Sequence, residues 1–257
     1  MSSIDIERRD AVAVVTMNNP AGRNALDLQM RQDLLTAVRE VSEDDAVRAV
    51  VLTGAGDAFC AGADVGKMGG RGLAGSRQRM KTMHAMVRAV HGMDKPVVAA
   101  VRGAAVGIGF SLAMACDVVV AAPGANFSQV FTQVGLAPDG GAIWFLARQM
   151  GFSRAKELVF SARRFTGEEA ACLGLVQRLV SDDRVLDEAL GLAAQYARGP
   201  GLALAMAKQL FAHSVSPTLE QFLEMELLVG PQLSQTLDHA EGRAAFREKR
   251  KPQFKGG

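Results

Sequence analysis

Four short runs rich in β-branched residues, at 12–17, 49–53, 97–101 and 118–121, each stop at Gly, Pro or a polar residue. Runs of this length and composition fit strands buried in a sheet. Between them, 28–41 and 77–91 carry apolar residues at helical spacing with charges on the opposite face. Strand alternating with helix predicts an α/β fold. After the fourth run the pattern changes: 127–146 is mixed and passes through the turn-forming cluster Pro138-Asp139-Gly140-Gly141 before an apolar helix over 142–150. That turn is a place to look for chemistry.

Strand signals cease near Gly199. Residues 202–212, 219–229 and 233–250 predict three helices punctuated by Pro200, Pro217 and Pro231. Helices of this size bury little apolar surface alone, so they are expected to pack on the main body or on another subunit. The chain thus divides into a core over 1–198 and a helical region over 199–257.

Charge and composition narrow the function classes. The chain has 29 Lys plus Arg against 27 Asp plus Glu, a net charge of +2, which leaves no footprint for general nucleic-acid binding. No apolar stretch approaches a membrane span, and acids stand where a signal peptide needs an apolar run, so the expected location is the cytoplasm. Cys60, Cys116 and Cys172 are isolated and expected to be buried free thiols. The four histidines form no metal-ligand spacing, and neither a metal nor a resident cofactor is expected.

Several motifs fall short. Gly62-Ala-Asp-Val-Gly66-Lys67-Met68 is one residue too short for a phosphate loop and has Met where Ser or Thr must reach Mg²⁺. Gly107-Ile-Gly109 begins a dinucleotide fingerprint, but Leu112 replaces its third glycine. Gly109-Phe-Ser111-Leu-Ala113 is one residue away from a nucleophile elbow, with only His213 or His239 following as a base. Its bland alternative is a serine at a helix start.

Two Gly/Ala-rich segments, Phe59-Cys60-Ala61-Gly62-Ala63-Asp64 and Arg102-Gly-Ala-Ala-Val-Gly107-Ile108-Gly109-Phe110, each follow a strand and precede a helical pattern. Small side chains let a ligand approach the backbone, and N–H groups at a helix start can converge on an oxyanion. Tight helix–sheet packing explains the same composition without any ligand.

These segments, together with Asn18-Asn-Pro-Ala-Gly-Arg-Asn24-Ala-Leu26, Lys95-Pro-Val-Val-Ala-Ala-Val-Arg-Gly103, Leu112-Ala-Met-Ala-Cys-Asp117, Gly135-Leu-Ala-Pro-Asp139-Gly-Gly141 and Glu241-Gly-Arg-Ala-Ala-Phe246, resemble the crotonase (enoyl-CoA hydratase/isomerase) superfamily over nearly the whole chain. The resemblance implies a ClpP-like spiral of ββα turns, a C-terminal trimerisation region giving a homotrimer or dimer of trimers, and an acyl-CoA thioester as substrate. It also implies an oxyanion hole of two backbone N–H groups, falling on Ala63 and Ile108. Around them it places Ala61, Asp64, Gly107, Ser111, Phe131 and Gly140 against the substrate.

The two glutamates of enoyl-CoA hydratases fall on Ser111 and Phe131, neither of which does carboxylate work at neutral pH. Asp139 remains. Its Pro-Asp-Gly-Gly context, followed by Trp144 and Arg148, is similar to the isomerase of phenylacetate degradation, where one aspartate shuttles the proton. One base suffices when the proton taken from one carbon returns to another. The alternatives are a helix N-cap at Asp139, an aryl-CoA dehalogenase whose histidine position holds Arg88, a hydratase, or a non-catalytic CoA binder. Asp64 and Asp117 are expected to cap or fix loops, and Glu220, Glu224 and Glu226 to form a solvated face.

The basic tail, Arg243, Arg247, Lys249, Arg250, Lys251 and Lys255 with Phe246 and Phe254, is expected to hold the CoA phosphates and stack its adenine, across a subunit boundary in one version. Lys67 is a second candidate for phosphate. The expected acyl pocket is apolar and tolerant of aromatic groups, with Phe110, Phe131, Met83, Met86 and Trp144 as its candidates; the same residue types also form ordinary core.

Overall fold

The computed structural model describes residues 2–64, 66 and 72–256. Its strands and helices follow in the order β1 (Ser3–Arg9), β2 (Val12–Asn18), α1 (Leu28–Glu43), β3 (Ala49–Gly54), α2 (Gly72–His91), β4 (Val97–Val101), β5 (Ala104–Val106), α3 (Ile108–Ala115), β6 (Val118–Ala121) and β7 (Asn126–Ser128). The chain continues through α4 (Ala142–Met150), α5 (Phe152–Ser161), β8 (Phe165–Thr166), α6 (Gly167–Cys172), β9 (Arg178–Leu179), α7 (Val185–Ala197), α8 (Gly201–His213), α9 (Leu219–Leu233) and α10 (Leu237–Glu248).

The four β-branched runs become β2, β3, β4 and β6, adjacent and parallel in a six-stranded sheet of order β1-β2-β3-β4-β6-β9. Every residue of β3 and β4 is buried, as a parallel sheet covered on both faces requires. The antiparallel β1 closes one edge and is largely exposed and polar. On α1, Met30, Leu34, Val38 and Val41 form the buried stripe, and the Asp27 carboxylate caps the helix by accepting from the Met30 N–H at 3.0 Å.

A second, smaller sheet of order β5-β7-β8 runs beside the first. Isolated parallel bridges Leu26↔Ala63 and Cys60↔Ala105 extend it across the loops that follow β2 and β3. Each winding of the chain thus lays a long strand in the large sheet and a short piece in the small one. Phe110, Phe127 and Phe165 lock α3 onto the small sheet, with ring centroids 5.3–5.8 Å apart.

The C-terminal helices differ in detail from expectation. Pro231 lies inside α9 instead of ending it, and α10 begins at Leu237, where the Thr236 side chain accepts from the His239 N–H at 3.1 Å. Pro231 forfeits one backbone bond, and only two residues of the helix follow it, so the cost of running past it is confined to the last turn. Arg48 joins the ends of this region to the core: Nη2 donates to Gly199 O at 2.8 Å and Nη1 to Phe254 O at 3.0 Å. Helix α9 has no buried residue, and Leu219, Leu223, Leu227 and Leu228 stand exposed on it. Cys60 and Cys116 are buried, but Cys172, at the solvent-facing end of the short α6, is exposed. No helix among the described residues is long and apolar enough to cross a membrane.

Candidate active site

Two backbone strips meet where the small sheet faces the start of α3. Cys60 N–H donates to Ala104 O at 2.8 Å and Val106 N–H to Cys60 O at 2.9 Å, fixing the strip 59–64 against β5. Asn24 holds its other side: buried, it donates to Ala55 O at 2.8 Å and Ala58 O at 2.6 Å. Leu26 N–H reaches Gly62 O at 2.7 Å. The approach is too close for side chains, since a Cβ at Gly62 would lie 2.8 Å from Val106 O.

Gly107, at φ +54°, donates to Ser128 O at 2.9 Å and turns the chain into α3. Ile108 is then the first residue of that helix, and its N–H has no carbonyl one turn behind it. Neither the Ala63 nor the Ile108 N–H has a hydrogen-bond acceptor among the described residues.

The Asp139 turn lies against the same helix start. Gly140 (φ +63°) and Gly141 (φ +77°) take consecutive left-handed conformations, and a Cβ at Gly140 would collide with Cδ1 of Ile108. The Ile108 side chain is therefore spent in packing against the turn. Ser111 completes the junction: fully buried, its hydroxyl donates to the Asp139 carbonyl at 3.1 Å and approaches Gly107 O at 3.3 Å. With no histidine on that hydroxyl among the described residues, Ser111 ties helix to turn and does not present a nucleophile. Phe131 is buried with its ring 3.6 Å from where a Cβ at Gly107 would be.

Asp139 is not a helix cap. The N-cap of α4 is Gly141, without a side-chain bond; from Asp139 only the backbone carbonyl serves the helix, accepting from Ala142 N–H at 3.2 Å. The carboxylate Oδ1 is buried without a hydrogen-bond partner. Burial pushes the Asp139 carboxyl above its ordinary range, opposed chiefly by the positive charge of Arg31 and then by His84 and Arg79.

Arg31 is the residue that sequence reasoning missed. It is buried, its Nε donates to Leu26 O at 3.2 Å, and burial lowers its own pKa while Asp139 raises it. It thus joins the Leu26–Ala63 bridge to the carboxylate. A signal existed: Arg31 interrupts the apolar stripe of α1 next to Met30 and Leu34.

Beyond the turn, α2 and α4 border an open cleft of about 380 Å³ lined by His84, Val87, Arg88, His91, Gly140, Gly141, Trp144 and Phe145. Trp144 is half-exposed, whereas Met83, Met86 and Phe110 are core residues. Asp64 accepts from Gly66 N–H at 3.1 Å, and Asp117 accepts from Val97 N–H at 2.7 Å and Lys208 Nζ at 2.8 Å, so both fix loops. Ala61 is held by its N–H to Arg23 O at 2.9 Å. Lys67 lies outside the described residues.

The tail candidates gather elsewhere. Phe246, Phe254, Arg243, Arg247 and His239 line a separate cavity of about 470 Å³ between α8 and α10. Phe246 is highly exposed, and Lys255 is anchored only through its N–H, to Asp238 Oδ1 at 2.9 Å. Arg250, expected to be available for phosphate, is instead gripped by Glu241 and Glu248, and holds the Glu241 carboxyl down to about 2. Within one chain, no described cavity joins this group to Asp139.

Comparisons with known proteins give matches over nearly the whole chain. The family model for enoyl-CoA hydratase/isomerase matches residues 7–257. The chain is 36% identical to 2,3-dehydroadipyl-CoA hydratase of Escherichia coli, covering 100% of both chains. It is 34% identical to 1,2-epoxyphenylacetyl-CoA isomerase of the same organism, over 95% of each. The crystal structure of an enoyl-CoA hydratase from Polaromonas sp. JS666 superposes with a TM-score of 0.95 at 36% identity, covering 98% of this chain and 100% of that one.

Proposed function

Because the chain belongs to the enoyl-CoA hydratase/isomerase family and has its crotonase fold, we propose that it is an acyl-CoA isomerase in which Asp139 shuttles the proton and the N–H groups of Ala63 and Ile108 hold the thioester oxygen. The observation that carries this reading is the Asp139 carboxylate: half-buried, with Oδ1 unpartnered, and packed through Gly140 against the residue whose N–H is free.

The steps follow from that geometry. Ionised Asp139 takes a proton from C2 of a 3-enoyl thioester, and the electron pair moves to the carbonyl oxygen. Two preorganised N–H donors stabilise that charge where water is excluded, and loss of one such donor costs about 10²–10³ in rate. The protonated Asp139 then returns the proton at C4, leaving the 2-enoyl isomer. A carboxyl raised by burial is a stronger base once ionised and a good acid once protonated. An epoxide whose carbon is bonded to C2 would be opened by the same base: the C2–H electron pair forms a double bond to that carbon as its C–O bond breaks, and protonated Asp139 returns the proton to the released oxygen. On this reading the thioester is the substrate and no resident cofactor takes part.

Hydration of 2-enoyl-CoA is the second reading, favoured by the names of most of the relatives. Against it stand the buried Ser111 and Phe131 at the two glutamate positions. The remaining elements fit the same proposal: α8–α10, with the exposed leucines of α9, form the self-association surface of a trimer or dimer of trimers, and Phe246, Phe254 and the free basic side chains of the tail hold CoA across it.

The test is incubation with 3-enoyl-CoA and 2-enoyl-CoA in D₂O, read by NMR and mass spectrometry. Double-bond migration without net hydration, lost in Asp139→Asn, is expected. Efficient hydration that survives Asp139→Asn would overturn the assignment.

A further inference from the structure

The cleft between α2 and α4 holds more positive charge than Asp139 uses. Arg31, buried and fixed to Leu26 O, is the principal counter-charge of Asp139. His84 adds a smaller share, and Arg88 is left over. They lie one turn apart on the same face of α2 and both line the 380 Å³ cavity, whose described lining contains no acidic side chain. No hydrogen bond or ion pair among the described residues takes up either side chain. His91, by contrast, is half-buried and set edge-on to Trp144 and Phe145 at 5.5 and 5.2 Å. The cleft therefore has an apolar aromatic wall and a rim bearing an unpaired guanidinium and an imidazole.

A purely hydrocarbon acyl chain would use the wall and leave the rim without a partner. An anion at the far end of that chain would use both, because it would pair with the exposed Arg88 guanidinium and meet the His84 ring while its carbon chain covers the wall. We infer that the acyl group of the preferred substrate ends in a carboxylate, seated between His84 and Arg88 with its carbon chain against Trp144 and its reacting carbons at Asp139. This inference rests on the acyl-CoA reading above and narrows it to ω-carboxyacyl thioesters. Arg88 gives a planar two-pronged donor, the geometry that matches a carboxylate best.

The experiment measures binding, which needs no turnover. Calorimetric titration compares saturated adipyl-CoA with hexanoyl-CoA, equal in chain length and different in the terminal carboxylate. The expected result is about tenfold tighter binding of adipyl-CoA at low salt, as one charge-assisted contact provides. Arg88→Gln should erase most of that preference while changing hexanoyl-CoA affinity less than about twofold, and His84→Gln should reduce it in part. Equal affinities for the two thioesters, or an Arg88→Gln variant that weakens both alike, would overturn the inference and leave the acyl-CoA reading standing. If neither thioester binds at all, that underlying reading falls as well.

Discussion

Replacing Gly140 by alanine places a methyl group where Cδ1 of Ile108 already lies, on a residue whose φ is +63°. The left-handed backbone costs an L-residue about 1–2 kcal/mol. Moving the Ile108 side chain off its preferred rotamer adds about 0.5–1.5 kcal/mol. Together these predict a loss of about 2–3 kcal/mol, or about 5–10 °C in Tm for a chain of this size. Because the displaced pieces carry Asp139 and the Ile108 N–H, a shift of about 1 Å should also cut kcat/KM about a hundredfold. The double variant with Ile108→Val separates the two effects, since valine lacks Cδ1 and keeps the N–H. Ile108→Val alone should cost about 1 kcal/mol, yet in the Gly140→Ala background it should cost nothing or restore stability, a coupling of about 1 kcal/mol. Thermal unfolding and acyl-CoA turnover kinetics on the four proteins complete the cycle. A Gly140→Ala protein that melts and turns over like the parent, or effects that simply add, would refute the idea that helix and turn are interlocked.

Two further outcomes follow from the charges and thiols. Arg31 holds Asp139 down against the effect of burial, so Arg31→Met, of similar volume, should move the acidic limb of the kcat/KM–pH profile to higher pH; an unchanged or lower midpoint would remove Arg31 from the site. Burial pushes the Cys60 thiol up to about 12 and raises Cys116 as well, whereas Cys172 is exposed. Ellman's reagent at pH 8 should therefore titrate one thiol in the native protein and all three in urea, and rapid labelling of Cys60 in the native state would contradict the packing of its strip.

The large sheet was legible because its parallel strands are buried on both faces, which forces continuous runs such as Val50-Val51-Leu52 into the sequence. The small sheet was not. Its strands have two or three residues each, and Ala104–Val106 is specified by partners such as Ser128 and Cys60 that are distant in sequence. The strips that hold Ala63 and Ile108 and the turn at Asp139 were legible through glycine-rich spacing and family resemblance, since a close backbone approach needs particular turns more than particular side chains. The role of Arg31 depends on how α1 packs beneath the turn, which no local pattern states; its only trace was a charge on an apolar stripe. The bond that Ser111 makes was hidden for a related reason, because a hydroxyl bonded to a carbonyl 28 residues away has the same sequence context as a free one.

Arg48 closes the region between Gly199 and Phe254 into a non-covalent ring, while Lys208 fastens α8 to Lys95 O at 3.0 Å and to Asp117. The unburied α9 is thereby suspended on a frame whose two ends are already immobilised. In the proposed self-association its leucines would lose little further freedom on meeting another copy of the chain, so less of the contact energy would be consumed in ordering the surface. Severing that guanidinium, as in Arg48→Ala, would show itself in assembly at high dilution before it showed in the fold.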